Sequence, residues 1–149
     1  MSEAIKQIAR RFRQELWNTG HAAIADEICA PSAALHVLDP VTPDFGRGPE
    51  ALKKVVGLYL KAFPDARCTI EDLIVEGDRV AVRWSARATH RGPLGEIPAT
   101  GKSIEITGID ILRVSGGRIE EMWTNWDTLG LLRQVGATEP QPASSGRTA

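Results

Sequence analysis

Three titratable side chains stand where the surrounding pattern is otherwise apolar, and each is a candidate for chemistry. His90 continues the alternation Val80, Val82, Trp84, Ala86 and Ala88, so it shares one side of a strand with them. There it is either a core histidine bonded to a neighbour or a polar group at the rim of an apolar cavity. Asp127 follows Trp123, Thr124, Asn125 and Trp126. A carboxyl beside two indoles sits in partly dry surroundings, which suits a general acid or base working near neutral pH. The same residue directly precedes Thr128-Leu129-Gly130-Leu131-Leu132, where Asp is a preferred helix N-cap. Spacing alone leaves both readings open. Asp110 shares the parity of Ile104, Ile106, Gly108 and Leu112, and a carboxylate on that face needs a partner. A buried ion pair or hydrogen-bond hub is favoured over catalysis, with Arg113 and Arg83 as available partners. His36, within Leu35-His36-Val37-Leu38, is a further core-histidine candidate. The expected pocket lining is Trp123, Trp126, Asn125, His36, Asp110 and Tyr59, with Asp127 and His90 as the catalytic candidates.

Other chemistries find no support. The chain has no phosphate-binding Gly-rich loop ending in Lys-Ser/Thr, no dinucleotide fingerprint, no His-Glu-x-x-His and no Gly-x-Ser-x-Gly. Cys29 and Cys68 are too few for a disulfide framework, lack metal-ligand spacing and fall in segments that read as core. Eighteen Lys and Arg against 19 Asp and Glu give a net charge of -1, so no global field draws the chain to phosphate or anionic lipid. Arg79, Arg83 and Arg87 line one strand face without the interleaved aromatics of a nucleic-acid groove. They read as a solvated or dimer-facing surface. No run approaches the ~18 apolar residues of a membrane span. The first residues lead into a charged amphipathic pattern rather than an apolar signal core. The expectation is a cytoplasmic protein without metal, membrane or nucleic-acid partner.

The elements that position these residues follow from periodicity. At 149 residues one domain is expected. Ile5, Ile8, Ala9, Phe12, Leu16 and Trp17 recur at helical steps, and Gly20 ends that helix. A short helix over 21–28, a short strand over 33–37 and a Pro/Gly loop over 39–49 follow. Pro49 opens a second amphipathic helix running to residue 63, with Leu52, Val55, Val56, Tyr59, Leu60 and Phe63 as its stripe. The second half alternates as strands: 68–75, then a strand from Arg79, then 103–114 and 118–126, with a Gly/Pro loop over 92–102 and a Ser115-Gly116-Gly117 turn. A closing helix over 128–135 completes a domain of residues 1–136. The tail 137–149, rich in Pro, Ser, Thr and Ala, is expected to be disordered. Helices first and then a meander is an α+β order, with helices packed on one face of a curved antiparallel sheet.

The stretch Thr89-His90-Arg91-Gly92-Pro93-Leu94-Gly95-Glu96-Ile97-Pro98-Ala99-Thr100-Gly101-Lys102 resembles the T-H-x-G…G-x-x-P-x-T-G-K run of SnoaL-like polyketide cyclases and their ester-cyclase relatives. Gly116-Gly117-Arg118-Ile119-Glu120-Glu121-Met122-Trp123 with Asp127 is similar to a second segment of that family. Leu131-Leu132-Arg133-Gln134-Val135-Gly136 is similar to its closing L-L-x-Q-x-G, and Phe63-Pro64-Asp65 also fits. The resemblance runs from Ile5 to Gly136. It implies the nuclear-transport-factor-2-like fold, a cone around a deep pocket, commonly a homodimer through its sheet. It also implies a cofactor-independent cyclase acting on a small hydrophobic or aromatic, polyketide-like substrate. One carboxylate near the end of the last strand serves as acid/base in an intramolecular aldol closure, and its counterpart here is Asp127. Relatives of the same fold include polyketide hydroxylases, isomerases, epoxide hydrolases and non-catalytic ligand-binding modules.

Overall fold

In the computed structural model, which describes residues 2–137, the chain runs through α1 (Ser2–Arg10), a π-helical turn (Arg11–Leu16), α2 (Trp17–Thr19), α3 (Ala23–Ile28), β1 (Cys29–Val37), α4 (Gly48–Ala62), β2 (Arg67–Glu76), β3 (Arg79–Thr89), β4 (Ser103–Ser115), β5 (Arg118–Trp126) and α5 (Thr128–Gln134). The amphipathic stripe that sequence reads as one helix over Ile5 to Trp17 is helical throughout, but the π-helical turn interrupts it. That turn buries the adjacent residues Phe12 and Arg13 together with Leu16. Such turns are rare and recur at functional sites. Gly20, at φ +71°, supplies the left-handed end.

The five strands form one sheet in the order β1-β5-β4-β3-β2. Strands β2 to β5 pair antiparallel, whereas β1 pairs β5 in parallel. The sheet is therefore mixed rather than wholly antiparallel, while the α+β class holds. The difference lies in β1, an edge strand whose residues pair with others 87 to 90 positions away in sequence. Alternation fixes which side such a strand buries but not the direction in which it docks.

Parity decides the two faces. Val80, Val82, Trp84 and Ala88 of β3, Ile104, Gly108, Asp110, Leu112 and Val114 of β4, and Met122 and Thr124 of β5 are buried on the helix-covered side. The opposite side carries the arginines and leaves Ile74, Ile109 and Ile111 exposed at 65, 49 and 39%. Gly108 belongs to the inner row because the ring of Trp84 lies over it. An added Cβ would sit 2.3 Å from Trp84 Cζ2 and 2.9 Å from Trp126 Cβ.

A main core joins the first helices to the sheet around Phe12, Leu16, Ile28, Leu52, Val80, Val82 and Leu112. A second cluster of Ala62, Phe63, Ala88, Leu94, Ile104, Leu131 and Val135 closes one end. There the loop after β3 docks on the last turn of α4. The N–H groups of Arg91 and Gly92 both donate to Ala62 O, one of the carbonyls a helix end leaves unpaired. A Cβ on Gly92 would lie 2.2 Å from Lys61 O, so only glycine permits this approach. Helix α5 is tied to β4 where β5 has already ended: Glu105 N donates to the Gln134 side-chain oxygen, and Gln134 Nε2 donates to Glu105 O. The amide thus replaces the missing strand and satisfies two backbone groups. Of the tail expected over 137–149, residues 138–149 lie outside the described residues. No described helix is long and apolar enough to cross a membrane.

Candidate active site

Between α4, the first helices and the inner face of the sheet lies an apolar cavity. Its wall includes Phe12, Leu52, Val55, Leu60, Phe63, Met122 and Leu131, with the aromatics Trp17, Tyr59, Trp84 and Trp126. Few polar side chains interrupt it: Arg13, Thr42, Tyr59 and Thr124, beside the thiol of Cys68 and the indole N–H groups. Apolar walls with a small number of fixed polar groups are the usual construction of a small-molecule site.

Two polar networks stand behind these groups. On the sheet side, Arg13 donates from Nε to Asp110 Oδ2 at 2.6 Å and from Nη2 to Asp110 Oδ1 at 2.7 Å. Thr124 Oγ1 donates to the same Oδ1 at 2.8 Å. Asp110 is fully buried and Arg13 is 4% exposed. Bidentate geometry offsets the desolvation of the two charges. The guanidinium also faces three rings, with its carbon 4.0 Å from the Trp84 centroid, 4.9 Å from Phe12 and 5.2 Å from Trp17. The pair uses Nε and Nη2 and leaves Nη1 outside it.

On the helix side, Asp39 gathers the 39–47 loop. Its Oδ1 accepts from Val41 N and Thr42 N, and its Oδ2 from Thr42 Oγ1 and Trp126 Nε1, at 2.8 to 2.9 Å. Tyr59 OH is hydrogen-bonded to Thr42 Oγ1. Burial raises the Tyr59 phenol above its ordinary range, so it is a neutral hydroxyl near neutral pH.

Of the residues singled out in the sequence, Tyr59 and Trp126 line the cavity. Asp110 stands directly behind its wall, held by Arg13 rather than by Arg113 or Arg83. Arg113 instead donates to Glu121, and Arg83 to Asp72. Trp123, Asn125 and His36 have the other parity and lie on the outer face of the sheet, where they cannot line the cavity. There His36 stacks on Trp123 at 5.4 Å and lies 2.8 Å from Glu121 through Nε2. That hydrogen bond, with Arg113 beside it, holds the Glu121 carboxyl below the usual range. His90 is fully buried, with Nδ1 2.9 Å from Thr100 Oγ1 and its ring 5.2 Å from Phe63. It packs in the β3–α4 joint and is not part of the cavity wall. Asp127 is exposed and caps α5, with Gly130 N donating to Oδ1 at 2.8 Å. The helix cap is present, and Asp127 is not part of the cavity wall. Neither cysteine is poised as a nucleophile: burial pushes the Cys29 thiol up to about 11 and raises Cys68 as well. Among the described residues, no group of three or more His, Cys, Asp or Glu could hold a metal ion.

Sequence reasoning missed Arg13, Thr124, Asp39 and Thr42. Thr124 was within reach, since it shares the inward parity of Met122 and Trp126. Arg13 carried a partial signal, since it stands four residues after Ala9 and four before Trp17 and so falls within the helical stripe, but a lone arginine there names no partner.

A sheet with helices on one face and an apolar cavity between them defines an α+β ligand-cavity fold. Within that class, the family model for SnoaL-like polyketide cyclase matches residues 7–135, and the chain belongs to this family. It is 31% identical over 153 residues to aklanonic acid methyl ester cyclase DauD of Streptomyces sp. (strain C5), covering 98% of this chain and 88% of DauD. It is likewise 31% identical over 151 residues to aklanonic acid methyl ester cyclase DnrD of Streptomyces peucetius, covering 98% of both. Among solved structures, TsrD from Streptomyces laurentii superposes with a TM-score of 0.79 at 28% identity, over 91% of this chain and 97% of TsrD.

Proposed function

We propose that the protein is a cofactor-independent cyclase that closes a ring in a polyketide-like ester by an intramolecular aldol reaction within the cavity. One observation carries the reading. The Thr124 hydroxyl, on the cavity wall, donates its proton to a carboxylate that an arginine holds in place. A hydroxyl has one proton, so Thr124 turns its lone pairs to the cavity. A C–H proton flanked by two carbonyls passes to Thr124 Oγ1 as the threonine's own proton moves to Asp110 Oδ1. The resulting enolate is stabilised by the Arg13 cation, fixed in place before the charge develops. The enolate carbon attacks a ketone carbon, and the new alkoxide takes the proton back through Thr124. The product has the mass of the substrate, and Asp110 ends as it began. The apolar wall keeps water from quenching the enolate. His90 and Asp127 serve the frame that holds the site, one in the β3–α4 joint and the other at the start of α5.

Aklanonic acid methyl ester, named for both curated relatives, is the first substrate to try. Incubation is expected to give a product of unchanged mass and altered retention on liquid chromatography. A protein that binds the ester saturably and leaves it unchanged contradicts the cyclase reading. It would favour instead a ligand-binding module of the same fold, which one observation supports: no carboxylate or imidazole lines the cavity itself among the described residues. The reading extends to a cytoplasmic homodimer formed through the outer sheet face, where Ile109 and Ile111 are exposed. Sedimentation at micromolar concentration is expected to give twice the chain mass of 16.2 kDa; a monomer there contradicts the pairing.

A further inference from the structure

The second polar network also has a direction. Asp39 accepts from Thr42 Oγ1, which spends the one proton of that hydroxyl. In its contact with Tyr59 the threonine oxygen therefore accepts and the phenol donates. Tyr59, which lines the cavity, is left with only lone pairs to offer a ligand. The far end of the chain is near water: Asp39 is half-buried, and Leu38 beside it is 89% exposed. Trp126 Nε1 and the N–H groups of Val41 and Thr42 hold the carboxylate in line.

We propose that Tyr59, Thr42 and Asp39 form a proton path between the cavity and solvent, entered by the hydroxyl of a phenolic or enolic ligand bound to the Tyr59 oxygen. The ligand O–H bond breaks and its proton goes to Tyr59. The Tyr59 proton moves to Thr42 Oγ1, and the Thr42 proton to Asp39 Oδ2. The ligand is left as its anion and Asp39 as a neutral acid, so one negative charge has crossed the path and none is created. Burial disfavours a standing tyrosinate, which makes Tyr59 a relay rather than a store. Asp39, nearer water, exchanges the proton with solvent. The inference rests on the cavity being a ligand site, as the cyclase reading also holds, but not on turnover. It adds a second proton route, separate from the one at Asp110, serving the hydroxyl groups of the ligand rather than its reacting carbon.

A photoacid tests it without any reaction on a substrate. 2-Naphthol becomes strongly acidic on excitation, and its neutral and anionic forms emit at different wavelengths. Bound to the parent at saturating protein, and excited to the red of tryptophan, it is expected to emit as naphtholate. Tyr59→Phe and Thr42→Val should each abolish that emission and leave the neutral band, as in an aprotic solvent. Affinity should fall by no more than about tenfold, the worth of one hydrogen bond. Thr42→Ser, which keeps the hydroxyl, should restore the naphtholate band, a recovery that a merely structural Thr42 would not produce. Naphtholate emission unchanged in Tyr59→Phe, or no saturable binding of 2-naphthol by the folded parent, overturns the proposal. Conversion of aklanonic acid methyl ester is read separately, so either idea can fail without the other.

Discussion

Asp110→Ala is expected to lower the stability of the fold by about 3–5 kcal/mol, the cost of leaving one member of a buried ion pair without its partner. Arg13 is nearly inaccessible to water and directs two of its nitrogens to Asp110. With the carboxylate gone, the guanidinium keeps its charge and loses its acceptors, and Thr124 loses its own. The three rings around Arg13 offset part of this loss but accept no conventional hydrogen bond. Urea unfolding reads the effect as a lower midpoint at unchanged slope. The double variant Arg13→Met, Asp110→Leu is expected to recover most of the stability, because apolar residues of similar volume avoid the desolvation cost of both charges. A loss below about 1 kcal/mol in Asp110→Ala, the scale of an exposed pair, would mean that water reaches Arg13 and that the cavity wall is not dry.

Thr124→Val is expected to separate function from stability. Valine has nearly the shape of threonine, so the packing of β5 survives. The lost hydrogen bond costs only about 1 kcal/mol, somewhat more for a bond to a charged acceptor. The path from the cavity to Asp110, by contrast, is cut, and with it the general acid–base step, worth at least ~10²-fold in turnover. KM should change little, because the methyl that replaces the hydroxyl leaves the apolar wall intact. Thr124→Ser, which retains the hydroxyl, should keep most of the turnover. A Val variant that loses turnover only in proportion to unfolded protein would reduce Thr124 to a structural role.

The elements were legible because each has an unambiguous period. Val80, Val82 and Trp84 alternate cleanly, and their inward parity is the one found; Ile104 to Leu112 alternate as well, but with Ile109 and Ile111 in the other row the sequence left open which row faces in, and the structure buries the first. The site was harder to read, for two physical reasons. Sequence draws attention to titratable residues beside aromatics, and Asp127 is such a residue. Yet a strand turns successive side chains to opposite faces. The inward positions at the end of β5 are Thr124 and Trp126, while Trp123 and Asn125 turn outward and Asp127 begins the helix. Tyr59 and Trp126 were found because aromatic residues on an inward face line cavities whatever their polar atoms do. Thr42 sits three residues from Asp39 and reads as part of a loop turn; Arg13 and Asp39 escaped because each acts through a partner distant in sequence: Arg13 and Asp110 are 97 positions apart, and Asp39 and Trp126 are 87. No local pattern carries such a pairing.

If the proton moves at Thr124 and Asp110 and not at Asp127, variants at the two positions must behave differently. Turnover of aklanonic acid methyl ester would be measured for the parent, Thr124→Val and Asp127→Asn at equal concentrations of folded protein. A loss of at least ~10²-fold is expected in Thr124→Val, with turnover close to the parent's in Asp127→Asn, since Asn caps a helix about as well as Asp. A silent Thr124→Val beside a dead Asp127→Asn would remove Thr124 from the reaction and return the chemistry to the carboxylate at the start of α5.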